Sequence, residues 1–400
     1  MKKLHLLLIF TLVFTFSYDC LAKKKLTMPT SRAVYHNNRG TTFLNDGNIE
    51  RAEMEYKTAI ELSPDYVEAY NNLGVVYKTK GQLDKAIAQF QRAIDLDKDY
   101  GSAYSHLGAV FLAQGNASDA IKVIKKGLKK DPTNADTHYN LGLAYVQKNK
   151  QSKSKNYMEL AISELVKATE LNPSLTHVHR QLAEIYEKQG KLEQAQIRYR
   201  LALADKPNSI EAWLELGQVY LKRNEPYQAQ NCFLKALEID PSSVDAHMQL
   251  GLFYSSEGKF NEAINEFKSV TTLRPTDEIA WFRLGSVYMS AGNLGEAEKA
   301  LTKAKQANPN FPDASYNLGL VLLKRGNQAA AIREWKYTTT VAPNYPKALY
   351  NLATVYTDTG RKAESYEFFC RFIKAAGTQY QAEVALAKQI LEQNDAKCHH

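Results

Sequence analysis

The chain has 400 residues, 44% of them hydrophobic and 24% charged, with a formal net charge of +8. That hydrophobic content excludes an intrinsically disordered chain. The length alone suggests two or three globular domains, unless an internal repeat takes their place.

The first element is a secretory signal over residues 1–22. Lys2 and Lys3 form a basic start, and Leu6 to Phe16 is an apolar run of eleven residues. A polar patch, Ser17 to Cys20, leads to Leu21-Ala22, with cleavage expected after Ala22. The apolar run falls short of the roughly 20 residues that span a bilayer. The expectation is an exported protein, periplasmic or secreted. Lys23, Lys24 and Lys25 open a basic linker, 23–32, and positive charge there opposes export. An inner-membrane anchor by an uncleaved signal is therefore the alternative. Cys20 follows Tyr18-Asp19 where lipoprotein signals carry small residues, so it reads as unlipidated. The mature chain then holds Cys232, Cys370 and Cys398, an odd and sparse set that does not make a disulfide framework. Cys232 and Cys370 lie in helical patterns and read as small buried hydrophobes. Cys398-His399-His400 reads as a frayed tail.

From residue 33 onward the chain repeats itself. AYNNLG at 69–74 returns as HYNLG at 138–142, SYNLG at 315–319 and LYNLA at 349–353. The small residue closing each echo is Gly40, Gly74, Gly108, Gly142, Ala183, Gly217, Gly251, Gly285, Gly319 or Ala353, at intervals of 34 with one of 41. A second small residue follows at Ala52, Ala86, Ala120, Ala161, Ala195, Ala229, Ala263, Ala297 and Ala331. Most units end in a proline, such as Pro207 or Pro241, which cannot continue a helix. Trp213, Leu216, Gly217 and Tyr220 show the helical i, i+3, i+4, i+7 spacing. Glycines such as Gly81 and Gly115 sit where the first helix of a unit must stop and turn. The ten units are 33–66, 67–100, 101–134, 135–175, 176–209, 210–243, 244–277, 278–311, 312–345 and 346–379. Unit 4 gains seven residues around KNKQSKSKNYMEL, which make either a protruding loop or two longer helices. Residues 380–393, with Val384, Ala387 and Leu391 on one face, read as a capping helix, and 394–400 as a tail.

The signature resembles the tetratricopeptide repeat, with residues 210–243 matching it through Trp213, Leu216, Gly217, Tyr220, Ala229, Phe233 and Pro241. The resemblance implies an all-α, right-handed superhelical solenoid of helix-turn-helix repeats, with a concave groove lined by the first helices. The repeats are also similar to those preceding the catalytic region of O-GlcNAc transferases, but that region has no counterpart in this sequence. No P-loop, GxSxG, HExxH or paired CxxC occurs, so a non-enzymatic protein without cofactor or metal is expected. His36, His138, His179 and His247 take a unit position common for Trp or Tyr, in different repeats, and read as packing residues.

Function is therefore sought on surfaces. The resemblance turns a first-helix stripe toward the groove. In units 6 to 10 this stripe includes Leu214, Leu221, Met248, Leu252, Phe282, Met289, Tyr316, Leu320 and Tyr350. An apolar stripe there suits an extended or helical peptide of a partner protein, or it packs within the array. Asn38, Asn72, Asn140, Asn317 and Asn351 share one register. In the O-GlcNAc transferase repeats, asparagines in this register line the groove and bond peptide backbone. His106, Gln181, Glu215, Gln249 and Arg283 interrupt the register in the other units. A basic flank over 122–155 gathers Lys125, Lys126, Lys129, Lys130, Lys148, Lys150, Lys153 and Lys155. It suits a solvated face or contact with an anionic partner or membrane surface. Nucleic acid is not expected, because no surface aromatics are interleaved with those lysines. The leading expectation is an adaptor of the cell envelope, in the assembly of pili, secretion or envelope machinery. The alternative is an anchoring module that docks through the basic flank.

Overall fold

The computed structural model describes residues 27–152 and 155–398. The signal at 1–22, Lys23 to Lys25, Lys153, the side chain of Lys155, and His399 and His400 lie outside the described residues. Among the described residues the chain is all-α, with 21 α-helices, one 3-10 turn and no strand. None of these helices is long and apolar enough to cross a membrane. Two compact units are distinguished, one ending at Val178 and one beginning at His179.

Unit 1 consists of tandem hairpins: α1 (Ser31–Asn45), α2 (Ile49–Leu62), α3 (Val67–Thr79), α4 (Leu83–Leu96), α5 (Gly101–Ala113), α6 (Ala117–Leu128), α7 (Ala135–Ser152) and α8 (Lys155–Leu171). Odd-numbered helices are the first of each pair and pack on the helix that follows. The pairs approach closely because one residue in each first helix has little or no side chain. A Cβ on Gly74 would stand 2.6 Å from the Phe90 ring. Overpacking of that kind costs about 1–3 kcal/mol. The turn between helices needs a left-handed residue, supplied by Gly81 at φ +72°. Its N–H donates to the Lys78 carbonyl, and the Gln82 N–H to that of Tyr77.

The seven extra residues of the fourth repeat, 135–175, lengthen its helices. α7 has 18 residues and α8 has 17, against 13 in α5 and 14 in α4. The added end of α7 leans on the preceding hairpin. Gln147 donates to the Leu112 carbonyl (3.3 Å) and Gln151 to that of Gly115 (2.9 Å).

Unit 2 runs through α9 (Thr176–Lys188), whose first residues belong to unit 1, then α10 (Leu192–Asp205), α11 (Ile210–Lys222), α12 (Pro226–Ile239) and α13 (Val244–Ser256). It continues through α14 (Phe260–Leu273), α15 (Glu278–Ser290), α16 (Leu294–Ala307), α17 (Pro312–Lys324), α18 (Gln328–Val341), α19 (Pro346–Asp358), α20 (Lys362–Ala375) and α21 (Gln381–Gln393). Gly217 meets Phe233 and Gly319 meets Trp335 as Gly74 meets Phe90, each with a Cβ clearance of 2.3 Å. Asn224 replaces the turn glycine between α11 and α12 at φ +61°, a conformation asparagine tolerates. Trp213 and Trp281 donate their indole N–H groups to the carbonyls of Pro207 and Pro275, both at 2.8 Å, while Trp335 is fully buried.

Ala387 and Leu391 of α21 are buried, and Val384 packs against the same core. The end of the chain corrects the cysteine reading. Cys370 of α20 is bonded to Cys398, with Cα atoms 5.4 Å apart. Cys370 is thus not a simple core residue, and 394–398 is not a frayed tail. α21 packs on α20, and the turn after it, closed by Ala396 N–H to the Leu391 carbonyl, brings residue 398 beside α20. A spacing of 28 residues in sequence carries no trace of that proximity.

Candidate functional site

The first helices of unit 2 present a row of large apolar side chains that the core only half covers. Met248, Leu252, Phe282, Met289, Tyr316, Leu320 and Tyr350 pack against one continuous core without being buried. Leu214 does the same against the core around Phe233, and Leu221 is exposed. The row is held by how its helices begin. Ser209, Ser243 and Asp277 cap α11, α13 and α15 with side-chain oxygens. Phe311 and Tyr345 stand at the same position before α17 and α19 and supply no such cap. Their rings lie instead against the stripe, Phe311 at 5.1 Å from Phe282 and Tyr345 at 5.3 Å from Tyr316. Tyr345 donates its hydroxyl to Asp313 at 2.6 Å, and Tyr350 meets Phe372 at 5.1 Å. Burial raises Tyr316 above the ordinary phenol range, so it stays neutral.

The asparagine register points largely inward. Asn72 donates to Asn37 (3.0 Å), Asn140 to Ser105 (3.0 Å), Asn317 to Ser286 (3.3 Å) and Asn351 to the Tyr316 hydroxyl (3.3 Å). Each of these amides gives an N–H to the preceding first helix. The Asn72 carbonyl oxygen accepts from the Asn71 amide, so the carbonyl oxygens of Asn140, Asn317 and Asn351 are the ones left to face a ligand. Asn38, in α1, is exposed. The interruptions use the same link. His106 meets Asn71 at 2.7 Å, Arg180 holds Glu215 through two hydrogen bonds, and Gln218 donates to Gln249. Arg283 is exposed, its guanidinium 6.0 Å from the Phe282 ring centre.

The histidines carry partners that sequence reading missed. His36, His138 and His247 meet Glu55, Glu164 and Glu266 at 2.6–2.7 Å. In each repeat the glutamate holds the same position on the second helix, so the recurring His–Glu spacing was the signal available. His138 and His247 also reach the carbonyls of Pro132 and Pro241, as the tryptophans do. Among the described residues no three metal-ligating side chains converge.

The basic flank is partly neutralised. Lys130 pairs with Asp99 at 2.8 Å, Lys148 donates to Ser118 at 2.8 Å, and Lys125 lies 5.6 Å from the Tyr145 ring centre. Lys122 and Lys126 of α6 and Lys129, its C-cap, are exposed at the i, i+4, i+7 spacing of one helix face, and Lys150 is exposed near the end of α7. Lys155 is the first residue of α8.

Family models agree with this architecture. Tetratricopeptide repeat models match residues 40–81, 76–115, 110–149, 135–164 and 176–219. The model for the C-terminal domain of cilia and flagella-associated protein 70 matches residues 209–399. No curated protein matches the chain. Among solved structures the chain is similar to yeast Tom70, at 16% identity over 91% of this chain and 96% of that one, with a TM-score of 0.44. It is similar to MamA at 27% identity over 40% of this chain and 94% of that one, with a TM-score of 0.39. It is similar to PilW, a type IV pilus biogenesis factor, at 23% identity over 54% and 98%, with a TM-score of 0.46.

Proposed function

We propose that this chain, which belongs to the tetratricopeptide repeat proteins, is a non-enzymatic scaffold that holds an extended or helical peptide of a partner protein on the first-helix face of unit 2. One observation carries the reading: the half-buried stripe through Met248, Phe282, Tyr316 and Tyr350. Large apolar side chains left uncovered in a contiguous row mark an interaction surface. Methionine and aromatic rings adapt to varied apolar side chains. Carbonyl oxygens of Asn317 and Asn351 beside the stripe supply acceptors for peptide N–H groups.

The setting we assign is the cell envelope, with the partner in pilus, secretion or envelope assembly. Two features support it. Residues 1–22 read as a signal. The Cys370–Cys398 bond suits an oxidising compartment. The test is a cross-linked pull-down from native cells with the full chain and the Phe282→Ser, Tyr316→Ser variant, with the mature N-terminus sequenced. A partner recovered with the wild type and lost with a fully helical variant is expected, with a start at Lys23. Equal recovery by both proteins removes the stripe as the site, and a start at Met1 removes signal cleavage.

A second reading rests on the exposed face of Lys122, Lys126 and Lys129. In it, unit 1 docks on an anionic envelope surface. Such binding weakens steeply with salt, since exposed charges are screened within about 8 Å at physiological ionic strength. Binding that ignores salt excludes it.

A further inference from the structure

A crevice of about 650 Å3 opens between α10, α11 and α12, on the second-helix side of unit 2. Small-ligand sites occupy roughly 300–1,000 Å3. Leu203, Leu216 and Cys232 line it as buried groups, together with Trp213 and Tyr220. Arg200 and Lys235 line it as exposed cations. Arg200 has no hydrogen bond or ion pair among the described residues. Glu225, the acid in the lining, is committed to Arg223 at 2.7 Å. Lys235 meets Glu238 at 2.5 Å, on the exposed side of α12.

The equivalent place three repeats on, between α16, α17 and α18, has a different lining. There Lys305 and Glu334 form an ion pair at 2.8 Å across the two second helices. These two residues hold the repeat positions of Leu203 and Cys232. At these two positions the earlier crevice is therefore apolar, where the later one is crossed by charge.

We infer that the α10–α12 crevice binds a small amphipathic anion, an aliphatic or aromatic body carrying one carboxylate. The body lies over Leu203, Leu216 and Cys232, and the Trp213 and Tyr220 rings wall it. The carboxylate meets Arg200, whose planar fork matches its two oxygens. The amides of Gln228 and Asn231 stand in the same lining to donate N–H groups.

Isothermal titration of the full chain with decanoate tests this, with decanol and inorganic phosphate as body-only and charge-only probes. The expected result is one decanoate per chain, with phosphate failing to bind and decanol binding at least roughly tenfold more weakly, the size of a charge-assisted hydrogen bond. Arg200→Gln should weaken decanoate by a similar factor and leave decanol unchanged. Leu203→Lys with Cys232→Glu, which installs the later crevice's bridge, should abolish both. Phe282→Ser with Tyr316→Ser should bind decanoate as the wild type does, which separates this site from the stripe. No binding by the wild type overturns the inference. So does equal binding of decanoate and decanol, or unaltered affinity in Arg200→Gln. If the doubly substituted protein loses helicity, Arg200→Gln alone decides.

Discussion

The two units make opposite use of the same first-helix position. In unit 1 it holds Asn37, Asn71 and Ser105, which are buried and bonded to the next repeat through Asn72, His106 and Asn140, and only in the last hairpin the half-buried Tyr139. In unit 2 it opens with Arg180, which is paired to Glu215, and then holds Leu214, Met248, Phe282, Tyr316 and Tyr350, which are half covered. Small polar groups let neighbouring first helices close on each other by hydrogen bonds. Large apolar groups at the same place leave surface that neither neighbour covers. One backbone thus yields a sealed face and an open one through a single side chain per repeat.

Four measurements sharpen or break that contrast. The largest effect is expected at the covalent cap of unit 2. Cys370→Ser should lower unit 2 stability to urea by about 3 kcal/mol, the value for a closed loop of this order, and hydrogen exchange in unit 1 should not change. Next, Asn71→Leu should cost unit 1 about 2 kcal/mol, because it removes the buried oxygen that His106 meets. An unchanged urea midpoint would show that the polar seal does not stabilise unit 1.

Third, burial holds His106 down at about 4. The folded form keeps it neutral, while the unfolded chain takes a proton below about 6.5. Stability is therefore full above that pH and is lost as pH falls toward 4. Between pH 7 and 4.5 unit 1 should lose about 2 kcal/mol in urea melts, and His106→Asn should remove that part of the dependence. The smallest effect belongs to the open face. Met248→Ser should cost at most about 1 kcal/mol of stability, since its side chain is already half solvated, while partner affinity falls at least roughly tenfold. A large loss of stability would make the stripe ordinary core.

Much of this architecture is legible in sequence because packing imposes it on every repeat. One small residue per hairpin, such as Gly74 under Phe90, must recur at a fixed distance. The stripe is legible for the same reason, as a register on the first helices. What escapes is whatever depends on closure between distant residues. The asparagine register is plain in sequence, but the hydrogen bonds of Asn72 and Asn140 run to the preceding repeat. The disulfide escapes because α21 and its turn bring Cys398 back to α20. The insertion in the fourth repeat escapes in part, since a helix can absorb extra residues as well as a loop can.

The tryptophans carry a practical consequence. All three of the chain, Trp213, Trp281 and Trp335, belong to unit 2, two tied to proline carbonyls and one sealed under Gly319. Unit 1 has tyrosines and no indole. Selectively excited indole emission therefore reports on unit 2 alone, while far-ultraviolet circular dichroism sums both units. A denaturation in which ellipticity falls before the emission shifts would be the melting of unit 1 with unit 2 still folded. The unaltered protein thus contains its own optical label for telling the sealed half from the open one.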